Sequence, residues 1–324
     1  MIDISDIEAA AKRLSGISVR TPLLRNFELD QIAGGVVLIK PECLQVTGSF
    51  KIRGAYNRLC QLSHEQAQKG VVAWSSGNHA QGVAAAGGLL NIKTAIVMPE
   101  DAPRAKLENT RKLGGKVITY DRYSGDREAI ARGIAVDRDA ALVPSYDHEH
   151  IIAGQGTVGL EIAQDAAALK LPPDQVLIPC GGGGLSSGSA VALKDRFPDV
   201  FVYSVEPADF DDTARSLALD TRVSIEPAAR SICDALQTPM PGELTFAINR
   251  KLLQKGLTVS DDEVRHAMRF AFRHLKLVVE PGGAVALAAI LSAKVATADT
   301  TTVIVLSGGN VDFDLFAEIQ AEPN

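Results

Sequence analysis

The chain reads as an α/β protein built on parallel strands, and three observations carry that reading. Short β-branched runs alternate with stretches of helical period, several of those runs end in loops of small residues, and no repeat or low-complexity segment breaks the alternation. The opening MIDISDIEAAAKRL predicts an acidic amphipathic helix rather than a signal peptide. GVVAWSS at 70–76 predicts an apolar strand ending in polar residues, followed by the helix HAQGVAAAGGLL. KTAIVMP with PRAKLENTRKLG, then GKVITYD with DREAIARGIAVD, repeat the strand–helix unit. After AALVPS come the long helix GQGTVGLEIAQDAAAL, the strand DQVLIPC, a glycine run and the helix LSSGSAVALKDRF. VFVYSVE and TTVIVLSGG complete the strands. The block from about residue 70 to residue 146 holds strand–helix units of its own, which predicts a smaller domain inserted into a larger one. The last motif lies a helix-length from the end, leaving no room for a regulatory domain.

The bulk numbers bound the function. With 324 residues, 46% of them hydrophobic and 22% charged, the chain can bury the cores of two domains. A net charge of −6 and a pI near 5.6 argue against a nucleic-acid or acidic-membrane partner. The longest apolar runs, such as that at 83–90, are far shorter than a membrane span. Cys43, Cys60, Cys180 and Cys233 are widely spaced, which fits reduced thiols in a cytoplasmic protein and no metal motif.

In open α/β sheets ligands gather at the carboxyl ends of strands, and three such ends here are unusual. CGGGGLSSG (180–188) removes every Cβ from four successive residues before a helix, so that backbone N–H groups and the helix dipole face an anion such as phosphate. No Lys-Ser or Lys-Thr follows, so it is not a P-loop. A dinucleotide site remains an alternative, with Gly181 and Gly183 as its first glycines and Glu206 on a ribose, although Ser186 stands in place of the third. SSGNHAQG (75–82) presents two hydroxyls, an amide and an imidazole at a strand-to-helix junction, a surface suited to carboxylate or phenolate; capping by Ser76 or Asn78 accounts for one residue but not the cluster. LSGGN (306–310) lets a ligand ring approach the backbone. Finally, TGSFKIRGA (47–55) wedges Lys51 between Phe50 and Ile52, an apolar setting that a surface lysine would not need.

Together, SFKIRGA, SSGNHAQG, GGGGL and LSGGN in this order resemble the fold-type II (tryptophan synthase β-like) enzymes that use pyridoxal 5′-phosphate, nearest the serine/threonine dehydratases and serine racemase. The resemblance implies two open twisted α/β sheet domains with the cofactor in the cleft between them, the large domain comprising 1–50 and 147–324 and the smaller one about 51–146. It implies that Lys51 forms a Schiff base with the cofactor aldehyde, its pKa lowered by desolvation because only the neutral amine is nucleophilic. Phe50 would lie against the ring, Gly181, Gly182, Gly183, Gly184 and Leu185 would hold the phosphate, Asn78 would bond the ring hydroxyl and Ser307 would face the ring nitrogen. A serine there does not hold that nitrogen protonated, which suits β-elimination rather than transamination.

The implied reaction converts L-threonine or L-serine to a 2-oxo acid and ammonia. Ser75, Asn78 and His79 would grip the substrate carboxylate, and Ser76 matches the acid/base on the face opposite lysine in serine racemase. EPADFDD resembles the subfamily's cation site, in which Glu206, the Phe210 carbonyl and Asp212 hold Mg²⁺ or Ca²⁺; under this reading the ribose role of Glu206 disappears. Arg127, in GDREA, would pair with a second substrate carboxylate in 3-hydroxyaspartate, or else lie on a helix surface. Hydroxyaspartate dehydratases share all the cofactor motifs. The stretch CDALQTP (233–239) departs from the usual ADG, with Ala235 for glycine and Thr238 where serine racemase has a substrate-facing serine. Glu280 would lie near the cofactor. DHEH (147–150) reads as a solvated loop, His266 and His274 as structural, and Trp74 as core. A homodimer is the implied assembly. The rival class, an oxidoreductase holding a nicotinamide cofactor on the glycine loop, predicts a colourless protein in place of a yellow one, and a non-enzymatic binding module would not need Lys51 and Ser307 at once.

Overall fold

The computed structural model describes residues 2–75, 77–102, 104–121, 125–226 and 228–322, apart from the side chain of residue 105. Its strands are β1 (Leu24–Arg25), β2 (Val36–Pro41), β3 (Val71–Trp74), β4 (Thr94–Pro99), β5 (Lys116–Tyr120), β6 (Ala141–Leu142), β7 (Gln175–Pro179), β8 (Phe201–Pro207), β9 (Lys255–Val259) and β10 (Thr301–Leu306). They form a six-stranded sheet in the order β1-β2-β10-β7-β8-β9 and a four-stranded sheet in the order β5-β4-β3-β6. Every pairing is parallel except β1 with β2.

Parallel strands covered on both faces need unbroken apolar runs, and β4 and β7 are buried at every position. Beneath the larger sheet runs the helix Pro281–Leu291, apolar all round and buried from Pro281 to Ile290. The N-terminal helix spans Ile4–Arg13 as the sequence predicts, with Asp3 closing a capping box through Asp6.

Strands β1, β2 and β9 are additions to the sequence reading. β2 carries Lys40 and Pro41 and follows two glycines, which hides a core strand; Lys40 is nevertheless fully buried. β9 has a glycine at its second position and an exposed lysine at its first. AALVPS supplies only a two-residue strand, and the long helix begins at Glu149 rather than in the GQG stretch. His148 is the reason: its Nδ1 accepts the His150 N–H at 3.1 Å and caps the helix. Asp147 accepts the N–H groups of Glu243, Leu244 and Thr245, capping a second helix, Glu243–Leu252. DHEH is therefore a double capping device rather than a solvated loop, and among the described residues no group of three or more His, Cys, Asp or Glu side chains is gathered around a metal position.

A buried charge array fixes the segment that carries Lys51. Arg53 and Glu42 are both fully buried, and Arg53 grips Glu42 through Nε and Nη2, each at 2.8 Å. Arg53 Nη1 also bonds Glu161 at 2.8 Å, and Lys40 bonds Glu161 at 2.6 Å. Bidentate geometry makes this pairing strong and directional. It closes the loop 42–53 at both ends, so Lys51 starts the helix Lys51–Leu59 from an anchored turn.

Candidate active site

The small-residue loops after β3, β7 and β10 face one another, and one cleft is lined by Lys51, Asn78, Gly182, Leu185, Arg127 and Ser307, together with Phe50, Ser75 and His79. The sequence motifs thus meet in space, although hundreds of residues separate the first from the last.

Lys51 is the first residue of its helix, where the dipole disfavours a cation. Its Nζ donates to the Ser145 carbonyl at 3.0 Å and lies 5.1 Å from the centroid of the Phe50 ring. Burial pulls its pKa down to about 8, against the opposing attraction of Glu280. An amine held so is partly neutral near pH 7, which a nucleophile requires.

The glycine loop packs too closely against its neighbours to carry side chains. A Cβ on Gly182 would sit 2.3 Å from the Tyr146 ring, and Gly183 turns the chain at φ +90 into the 13-residue helix Gly184–Arg196. The N–H groups of that first turn have no acceptor within the helix. Ser186 is spent inside the fold, donating to the Gly183 carbonyl at 3.0 Å. Glu206 is fully buried and accepts the N–H groups of Thr213 and Ala214 at 2.9 and 2.7 Å, which removes it from any ribose position. The dinucleotide reading therefore fails on geometry.

At the β3 end, Ser75 Oγ accepts the Gly77 N–H at 3.1 Å, and Asn78 and His79 open the helix Asn78–Leu90. Ser76 lies outside the described residues. His79, 2% exposed, donates Nε2–H to the Val143 carbonyl at 3.0 Å. Burial, with Lys51 nearby, lowers its pKa to about 3, so its ring is neutral and Nδ1 is left as an acceptor. Such a ring has no donor for a carboxylate; what His79 offers there is its backbone N–H. Asn78 donates Nδ2 to Glu280 Oε1 and accepts at Oδ1 from Asn310 at 2.9 Å.

Glu280, 1% exposed, also faces Lys106 Nζ at 3.6 Å, and Lys106 bonds Asp234 at 2.6 Å. Burial raises the carboxyl of Glu280 while Lys106 holds it down, and the net direction is upward. Burial alone would lower Lys106, but Glu280 and Asp234 more than offset it and raise its pKa. Lys106 lies over the β3 loop, its Cδ 2.5 Å from where a Gly77 Cβ would be. Lys106, Asp234, Tyr146 and Gln155 all line the cleft and were not legible as site residues, since Lys106 reads as one more polar position of an amphipathic helix.

Arg127 lines the cleft rather than an outer surface, and among the described residues no carboxylate pairs with it. It opens the helix Arg127–Arg138 just after the cap Asp126, a place where the dipole disfavours a cation, so helix formation does not explain it. Ala235 and Thr238 line the same cleft, and Trp74 does so too, while packing on the core of the smaller sheet. His274 stacks on Phe270 and pairs with Glu28 at 2.6 Å, and His266 is exposed on its helix.

A two-sheet α/β fold that brings a lysine of lowered pKa and a four-glycine loop at a helix N-terminus to one cleft has the parts of an enzyme that uses a phosphorylated carbonyl cofactor. The family model "Pyridoxal-phosphate dependent enzyme" matches residues 14–308, and the chain belongs to that family. It is 43% identical over 314 residues to the L-threo-3-hydroxyaspartate ammonia-lyase of a Pseudomonas species, covering 97% of each chain. To the serine racemase of Schizosaccharomyces pombe it is 38% identical, covering 98% of this chain and 97% of that one. Its structure matches that of a T.th. threonine deaminase with a TM-score of 0.90 at 41% identity, covering 96% of this chain and 99% of the other. The motif-based reading of the fold class and of pyridoxal phosphate as cofactor is borne out.

Proposed function

We propose that the protein is an ammonia-lyase acting on a β-hydroxy-α-amino acid. The β-hydroxyl and the Cα proton are lost first, and hydrolysis then releases ammonia and a 2-oxo acid, so the net loss is ammonia. The observation that carries the reading is Lys51, an amine lowered to about 8, facing the glycine cradle and the β3 loop across one cleft. Relatives named as ammonia-lyases for 3-hydroxyaspartate and for threonine support it.

Pyridoxal phosphate, when bound, supplies an aldehyde for an amine and a ring that withdraws electrons from the substrate Cα. The residues present fit it: bare N–H groups for the phosphate, an apolar wall at Phe50, and a buried amide at Asn78. Lys51 Nζ, when free, takes the Cα proton. The Ser75 hydroxyl and the backbone N–H groups of Asn78 and His79 hold the α-carboxylate at the head of their helix. Ser307, which lines the cleft, would offer the ring nitrogen a hydroxyl and not a charge. Ser76 is retained in this proposal as the acid/base of the opposite face, the residue through which racemisation would proceed.

L-Threonine and L-serine are the first substrates expected from the sequence. Arg127 favours a second reading, 3-hydroxyaspartate, because a guanidinium in the cleft with no carboxylate partner among the described residues offers a bidentate partner for a distal carboxylate. A divalent cation, Mg²⁺ or Ca²⁺, is proposed at Glu206, Asp212 and the Phe210 carbonyl. Its support is Asp212, buried, with neither carboxylate oxygen partnered among the described residues. The division into 1–50 with 147–324 and about 51–146 follows sheet membership. A homodimer is proposed, for which the exposed Phe272 and Phe313 supply apolar surface. The four free thiols fit a reducing compartment such as the cytoplasm, and no helix among the described residues is long and apolar enough to cross a membrane.

The test is a panel of L-threonine, L-serine, D-serine and the 3-hydroxyaspartate stereoisomers, scored for 2-oxo acid and ammonia with and without Mg²⁺. Equal amounts of the two products from at least one L-hydroxy amino acid are expected. Ammonia-free turnover, or no turnover across the panel by the yellow protein, would contradict the proposal.

A further inference from the structure

Asn310 lies outside the cleft lining, yet three loops of the site meet at its side chain. Its Nδ2 donates both to the Thr47 carbonyl at 2.8 Å and to Asn78 Oδ1 at 2.9 Å. The first bond reaches the Lys51 loop and the second the β3 loop, while Asn310 itself belongs to the β10 loop. The fit is close: Thr47 takes φ 64, a left-handed conformation that a β-branched residue seldom adopts. A Cβ on Gly48, at φ +70, would fall 2.4 Å from Asn310 Oδ1. The Lys51 and β10 loops are also laced by the Gly309 N–H to the Gly48 carbonyl at 2.9 Å and the Phe50 N–H to the Ser307 carbonyl at 3.2 Å.

The polarity of this chain of amides is determined at both ends. A carbonyl can only accept, so Thr47 fixes which end of Asn310 is the donor. Asn310 then presents a donor to Asn78, which must answer with Oδ1. At the other end Glu280 accepts from Asn78 Nδ2, and a reversed Asn78 would set its oxygen against that carboxylate. With Oδ1 and one Nδ2 hydrogen committed, the second Nδ2 hydrogen is left for the cleft.

We propose that Asn310 is a positioning residue that fixes the amide polarity of Asn78, so that a donor, never an acceptor, meets the ring oxygen of the cofactor. This rests on the pyridoxal phosphate reading of the site. A donor at that oxygen stabilises its ionised form, and loss of the donor favours the neutral form. Asn310→Asp keeps the shape but replaces the donor with acceptors facing Thr47 and Asn78.

The experiment is the absorption spectrum of the bound cofactor in wild type, Asn310→Asp, Asn310→Ala, Asn78→Ala and the Asn78→Ala/Asn310→Ala double variant, each checked for folding by circular dichroism. The ratio of the short-wavelength neutral band to the long-wavelength ionised band should rise about three- to tenfold in Asn310→Asp, less in Asn310→Ala. Asn310→Ser, which keeps one donor, should recover part of the wild-type ratio. In the Asn78→Ala background, Asn310→Ala should add nothing, since the effect travels through Asn78. Asn310→Ala serves as the deciding variant if the aspartate protein does not fold. A folded variant with an unmoved ratio, or an equal shift without Asn78, overturns the proposal alone. A wild-type protein with no cofactor band would overturn the cofactor reading and this inference together.

Discussion

Lys51 and Lys106 stand in one cleft, the first half-buried and the second buried, and their ammonium groups meet opposite fates. Among the described residues Lys51 has only the Ser145 carbonyl within hydrogen-bond distance, and its pKa drops to about 8. Lys106 has Asp234 at 2.6 Å and Glu280 at 3.6 Å, and its pKa is raised. Burial acts on both in the same direction; the carboxylates decide the outcome. One lysine is left able to shed its proton and react, and the other is a fixed cation tying its own helix, Arg104–Lys112, to Asp234 and Glu280 across the cleft.

Removing each amine should therefore do different damage. Lys51→Ala should lower 2-oxo acid release by at least about a thousandfold and abolish covalent cofactor attachment; dehydration by this variant without added amine would contradict the assignment. Arg53→Met leaves Glu42 buried and unpaired, and urea unfolding should show a loss of about 3–5 kcal/mol. Arg127→Met should raise KM for 3-hydroxyaspartate about tenfold or more while leaving threonine within about twofold, if the guanidinium meets the distal carboxylate. Lys106→Met should keep the cofactor on Lys51 and lower kcat/KM by about tenfold, because the site loses the tie from Lys106 to Asp234 and Glu280 rather than its nucleophile.

The same contrast has a pH signature. Below about 8 the Lys51 amine is mostly protonated and its neutral fraction grows with pH, so the rate of cofactor capture by the apo protein should rise about tenfold per pH unit and level off above that value. Stopped-flow mixing with free cofactor measures it, and a flat profile from pH 6 to 9 would show that the amine is not desolvated as described.

Much of this was legible in the sequence because local chemistry sufficed. β-branched runs at β3, β4, β7, β8 and β10 announce buried parallel strands, and four glycines in a row announce a loop that lines the cleft. What stayed hidden depends on long-range pairing. Lys40 made β2 look too polar for a core strand until Glu161, 121 residues away, supplied its partner. Lys106 meets Asp234 across 128 residues, and Asn78 meets Asn310 across 232. A side chain's partner cannot be read from its neighbours in sequence when topology alone brings the two together. His79 shows the reverse case: the sequence offered its imidazole to a carboxylate, but the ring donates to the Val143 carbonyl and has no second donor to give.

The most direct test of the central claim is borohydride reduction of the yellow protein followed by peptide mass spectrometry. A single phosphopyridoxyl adduct on Lys51 and none on Lys106 is the expected result; an adduct on any other lysine, or no adduct at all, would contradict it.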